Sequence, residues 1–93
     1  MIVGVLEVDL AIFDARSLKD KRRVIKGLKD RVRHRFNVSV SEVEHANAAK
    51  RCRLGIAMVA EGSRPVHAQF DKLVDVIRAT AGLTLLDYER TFH

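Results

Sequence analysis

The sequence predicts an α+β fold: a ferredoxin-like β-α-β-β-α-β sandwich, with a four-stranded antiparallel sheet and two helices on one face. Three observations carry the prediction. Four stretches alternate apolar and polar residues with period two, and two others place apolar residues at helical spacing. Their order gives two β-α-β units sharing one sheet. The first and third strands are the most apolar, which suits the two central places in such a sheet.

Each element has its own signature. In residues 2–13, Ile2, Gly4, Leu6, Val8, Leu10 and Ile12 fall on one face, and Val3, Val5, Glu7, Asp9 and Ala11 on the other. Ser17 then reads as a helix N-cap, with Asp20 three residues on as its reciprocal partner. Val24, Ile25, Leu28, Val32 and Phe36 form that helix's apolar stripe. "NVSVSEVEH" and "RCRLGIAMVAEG" read as two strands joined by a polar loop around Asn47, with Leu54, Ile56 and Met58 facing the core. Ser63-Arg64-Pro65 opens the second helix, whose buried face is Val66, Phe70, Leu73, Val74, Ile77 and Ala81 and which Gly82 ends. "LTLLDYERTF" is the last strand. No repeat, low-complexity tract or linker interrupts the pattern, so residues 1–93 are expected to form a single domain.

Composition narrows the class further. Hydrophobic residues make up 47% of the chain and Trp is absent, so the core is built from aliphatic side chains. A single cysteine, Cys52, excludes an internal disulfide framework and suits a reducing compartment. The opening "MIVGVLEVDLAIF" carries no positive leader and has Glu7 and Asp9 inside its apolar run, so it reads as neither signal peptide nor membrane span. A cytoplasmic protein with no membrane partner is expected.

The net charge is +5, but it is not evenly spread. Residues 16–35 hold ten Lys or Arg against two Asp, a local +8, which leaves −3 for the rest. Lys19/Arg23, Arg22/Lys26, Lys29/Arg33 and Arg31/Arg35 are like-charge pairs at i,i+4. Each costs the helix about 0.2–0.5 kcal/mol. Lys19, Lys21 and Arg22 also crowd the first turn, where the helix dipole disfavours cations. Residues 64–81, by contrast, mix three basic with two acidic residues, as a plain solvated face does.

At 100° per residue, Lys19, Arg22, Lys26, Lys29 and Arg33 fall together opposite Leu28 and form the candidate anion-binding stripe. Lys21 and Arg35 fall over the apolar side, where their stems cover the core and their heads reach water. Backbone N–H groups at Ser17–Asp20, flanked by Arg16, Lys19 and Arg22, form a second candidate, for one phosphate. Ser17 and Asp20 compete for those donors. Such a stripe suits a phosphate backbone, contacted without base reading, and RNA or a ribosomal particle is the expected partner.

The exposed side of the two central strands carries Val3, Val5, Glu7 and Asp9 from one and Gly55, Ala57 and Val59 from the other. With no aromatic there, base stacking of the kind used by RNA-recognition motifs is excluded. That face, apolar at one end and acidic at the other, or an edge strand, is a candidate homodimer surface. Catalytic patterns are missing. No His pair has metal-ligand spacing, no glycine-rich phosphate loop occurs, and no cofactor or metal site is expected. Acylphosphatases share the topology, and Arg16 and Asn37 can be cast in their roles, but "FDARS" has no glycine with which to converge backbone donors.

"SLKDKR" at 17–22, "RFNVSVSEVE" at 35–44 and "RLGIAMV" at 53–59 together resemble the YlxP-like family of small bacterial proteins. The resemblance implies a ferredoxin-like fold and no established catalytic activity. Genes of the family often lie beside those for translation initiation factor two and ribosome-binding factor A, which implies a place near translation or ribosome maturation. The family's loop after the second strand carries an aromatic residue and a Gln; "HANAAKR" has neither.

Overall fold

A computed structural model describes all 93 residues, Met1–His93. The elements are β1 (Ile2–Ala11), α1 (Leu18–Arg35), β2 (Ser39–Glu44), β3 (Arg51–Ala60), α2 (Ser63–Arg78) and β4 (Thr84–Phe92). They make one four-stranded antiparallel sheet in the order β2-β3-β1-β4, so the two most apolar strands are central as expected.

Alternation along β1 sends Leu6, Val8 and Leu10 into the core and leaves Val3, Val5, Glu7 and Asp9 on the open face. From β3, Cys52, Leu54 and Ile56 join them. Helix α1 contributes Ile25, Leu28 and Val32, and α2 contributes Val66, Phe70, Leu73, Val74, Val76 and Ile77. The core is thus aliphatic apart from Phe36, Phe70 and Cys52. Gly4 permits a close approach in it: a Cβ there would lie 2.3 Å from Val66 Cγ1, so α2 rests directly on the backbone of β1.

The start of α1 is capped as the sequence indicates. Ser17 Oγ accepts from Asp20 N at 3.2 Å, and Asp20 Oδ2 accepts from Arg16 N at 3.1 Å. The end of α2 differs from expectation. The helix stops at Arg78, and Ala81 is exposed rather than on its buried face. Thr80 Oγ1 donates to Val76 O at 2.8 Å and caps the last turn. Gly82, with φ 86°, serves the turn into β4 rather than the helix terminus. Val76, which the sequence reading left off the buried face, is buried.

Candidate anion-binding groove

Helix α1 lies along the free edge of β2, and a groove of about 360 Å³ runs between them. Its walls are Lys21, Arg22, Ile25, Lys26, Lys29, Asp30, Arg33 and Glu42. Arg22, Lys26, Lys29 and Arg33 stand at i, i+4, i+7 and i+11, which places them on one side of the helix. Four of the five stripe residues therefore come together. They flank the apolar face at the β2 side instead of opposing it, and Ile25 forms the floor beside them. Lys19, Arg16 and Ser17 lie outside the groove.

Three of the groove's cations have carboxylate partners. Lys26 Nζ donates to Asp30 Oδ2 at 2.8 Å, and that bond holds the Asp30 carboxyl below its usual range. Arg33 Nη1 reaches Asp30 Oδ1 at 4.0 Å, while its Nη2 donates to Val40 O at 2.8 Å, closing a free carbonyl on the β2 edge. Arg22 and Lys29 have no carboxylate within reach. Counting all walls, five cations face two carboxylates, a net +3.

Lys21 overturns one expectation. Its head does not reach water: the side chain is 1% exposed, with Nζ 2.7 Å from Glu42 Oε2 and donating to His45 O at 2.6 Å. Glu42 sits on the core-facing parity of β2 with Val40, so two opposite charges on facing apolar surfaces are brought together. The contact is close enough for an ion pair but is not aligned as a hydrogen bond. No other donor of the chain reaches Glu42 Oε2, which is buried. Cys52 lies in the same region of the core. Burial, reinforced by the Glu42 charge, pushes its thiol up to about 12, so it is a packed, protonated side chain.

The helix start is a poorer anion site than the sequence suggests. The Asp20 amide is already taken by Ser17, and the Asp20 carboxylate, bonded to the Arg16 amide, sits where an anion would. The loop that a phosphatase would need shows no left-handed residue, since only His45 and Gly82 have positive φ. Other cations of α1 serve packing: Arg31 Nη1 donates to Thr80 Oγ1 at 3.2 Å across to the end of α2, and Arg35 lies over the Phe36 ring.

The open sheet face holds a second charged cluster. Arg53 stands among Asp9 (2.8 Å), Glu89 (3.1 Å) and Glu7 (3.5 Å), and hydrogen bonding to Asp9 first, then to Glu7, pushes its guanidinium further toward the charged form. The acidic end is thereby partly neutralised, while Val3, Val5 and Val59 keep the other end apolar. No group of three or more His, Cys, Asp or Glu side chains is arranged so that it could hold a metal ion, and no helix is long and apolar enough to cross a membrane.

Known proteins now place the chain. Residues 3–90 match the family described as "Protein of unknown function (DUF503)". The chain belongs to the DUF503 family. Among relatives of this DUF503 member, "Uncharacterized protein YlxP" of Bacillus subtilis (strain 168) is 34% identical over 76 residues, covering 82% of this chain and 83% of that one. The resemblance read from "SLKDKR" and "RFNVSVSEVE" is borne out. Among solved structures, the de novo designed protein Foldit4 superposes with a TM-score of 0.57 at 14% identity, covering 98% of this chain and 96% of that one. A designed protein with ferredoxin fold, solved by NMR, covers 100% of this chain and 86% of its own at TM-score 0.48 and 14% identity. For this DUF503 protein, the ferredoxin-like assignment rests on its own element order and the sheet order β2-β3-β1-β4.

The groove was half legible. Lys21, Asp30 and Glu42 were not among the expected site residues. One signal could have found Lys21 and Glu42: a cation on the apolar stripe of one element and an acid on the apolar parity of its neighbour.

Proposed function

We propose that this protein is a non-catalytic accessory protein of the cytoplasm that binds the phosphate backbone of structured RNA, such as ribosomal RNA, through the groove between α1 and β2. The observation that carries this reading is the alignment of Arg22, Lys26, Lys29 and Arg33 along one concave wall, with Arg22 and Lys29 free of carboxylates. The like-charge spacing of α1 costs helix stability, and an anionic ligand offsets that cost. Residues 22–33 span about 16 Å of helix, room for roughly five stacked nucleotides. The gene neighbourhood implied by the family resemblance supports the same direction.

Binding of a labelled ribosomal RNA hairpin, followed by fluorescence anisotropy against salt, tests the reading. Affinity is expected to fall steeply with salt, with a log–log slope of about −3 to −4. Arg22→Gln with Lys29→Gln should reduce that slope by about 2 and weaken all RNA sequences alike. Unchanged binding in the double variant ends the proposal.

A second reading, an oligomeric module, draws on the open sheet face, where Val59 is 59% exposed beside Val3 and Val5. In that reading the α1 cations meet an acidic protein surface. Sedimentation with and without nuclease separates the two: a species that shrinks on nuclease treatment belongs to RNA, and a nuclease-resistant dimer to the module.

A further inference from the structure

The open face of the sheet is not laid out for its own stability. Between β1 and β4, Glu7 stands directly opposite Glu89, and Asp9 directly opposite Asp87. Like charges in that relation destabilise a strand pair. One cation, Arg53, answers Glu7, Asp9 and Glu89, and no cation of the chain reaches Asp87. Four carboxylates against one guanidinium leave −3, while Glu44 and Arg51 at the rim add one charge of each sign. Beside the acids lie the rows Val5 with Ala57 and Val3 with Val59, the last 59% exposed. A face that is acidic in one half and apolar in the other calls for a cationic partner surface.

The chain carries such a surface itself. Lys19 and Arg23 stand one turn apart on the solvent side of α1, exposed and outside the groove. Neither has a carboxylate within reach. The helices cover one face of the sheet and the acids lie on the other, so the two surfaces meet only between copies. A face-to-face pair that covered the acids would set −3 against −3. Resting on the oligomeric-module reading and naming its acidic surface, we propose that the sheet face of one copy receives α1 of a second copy. Lys19 and Arg23 pair there with the exposed Asp87 and Glu89, and the valine rows beside them are covered. Because the two surfaces differ, the contact is head-to-tail and leaves each pair one free helix and one free face. It makes no use of Arg22 or Lys29, so it is separable from RNA binding.

Sedimentation velocity of the nuclease-treated, full-length protein tests the contact. The wild type should form dimers and larger species at about 50 mM salt, with association weakened about tenfold or more at about 500 mM, where exposed charges are screened. Lys19→Gln with Arg23→Gln, and separately Asp87→Asn with Glu89→Gln, should each sediment as a monomer. Both changes remove like-charge repulsion inside the fold, so neither is expected to unfold the chain. An equimolar mixture of the two variants should form a one-to-one dimer and nothing larger, since one supplies the intact helix and the other the intact face. A wild type that stays monomeric at low salt overturns this contact and the oligomeric reading together. If the wild type associates, persistence of association in the Lys19/Arg23 variant alone, or a mixture that remains monomeric, overturns this contact and leaves the oligomeric reading standing.

Discussion

Lys21 stands four residues before Ile25 on the buried stripe of α1, in a position that an apolar side chain would fill at no electrostatic cost. Its ammonium is satisfied by Glu42 and by the carbonyl of His45, a residue whose φ of 67° is unfavourable for any side chain bearing a Cβ. That left-handed turn carries strain of about 1–2 kcal/mol, and the Lys21 hydrogen bond offsets part of it. Removing one member of the pair leaves the other charge uncompensated in the core. Lys21→Ala is therefore expected to lower unfolding free energy by about 3 kcal/mol in urea titration, with Lys21→Met/Glu42→Leu returning close to wild type. A loss under 1 kcal/mol for Lys21→Ala would mean the pair is solvated. The sequence placed Lys21 on the apolar side but gave no means to match it with Glu42, since the register of β2 against α1 is set by packing and not by local propensity.

Helix α1 was the most legible element and also the least relaxed. Ser17 as cap, Asp20 as its reciprocal partner, and the stripe Ile25–Leu28–Val32 all stand where local rules place them. Gly27 is a further departure from stability: it is exposed, mid-helix, and a Cβ added there meets nothing within 4 Å. Gly27→Ala is expected to raise stability by about 0.5–1 kcal/mol, read as a melting temperature several degrees higher. RNA affinity should be unchanged, because Gly27 does not line the groove. The end of α2 was misread because Gly82 is a strong local stop signal, while the real terminus depends on Thr80 bonding back to Val76. A side-chain cap of that kind competes with the glycine rule and leaves no distinct mark in the sequence.

At the scale of the whole molecule, the charge-bearing groups couple stability to pH through Cys52. Its folded thiol is pushed up to about 12 from an ordinary value of 9.0, chiefly by burial. A raised acid contributes stability fully below the unfolded value and loses it as pH climbs toward the folded one. Melting temperature is therefore expected to fall between about pH 9 and 12, and Cys52→Ala should flatten that decline relative to wild type. Equal slopes for the two proteins across that window would refute the assignment. The sequence by itself determined the fold class, the central strands and the concentration of cations on α1, because period and composition act locally along the chain. Only the tertiary structure decided which cations converge, which are spent on Asp30, Thr80 and the carbonyls of Val40 and His45, and that Lys21 is buried against Glu42. Helical angles order side chains around one axis; whether a charge is paired or free depends on the strand laid beside it, and that distance is fixed only when α1 packs along β2.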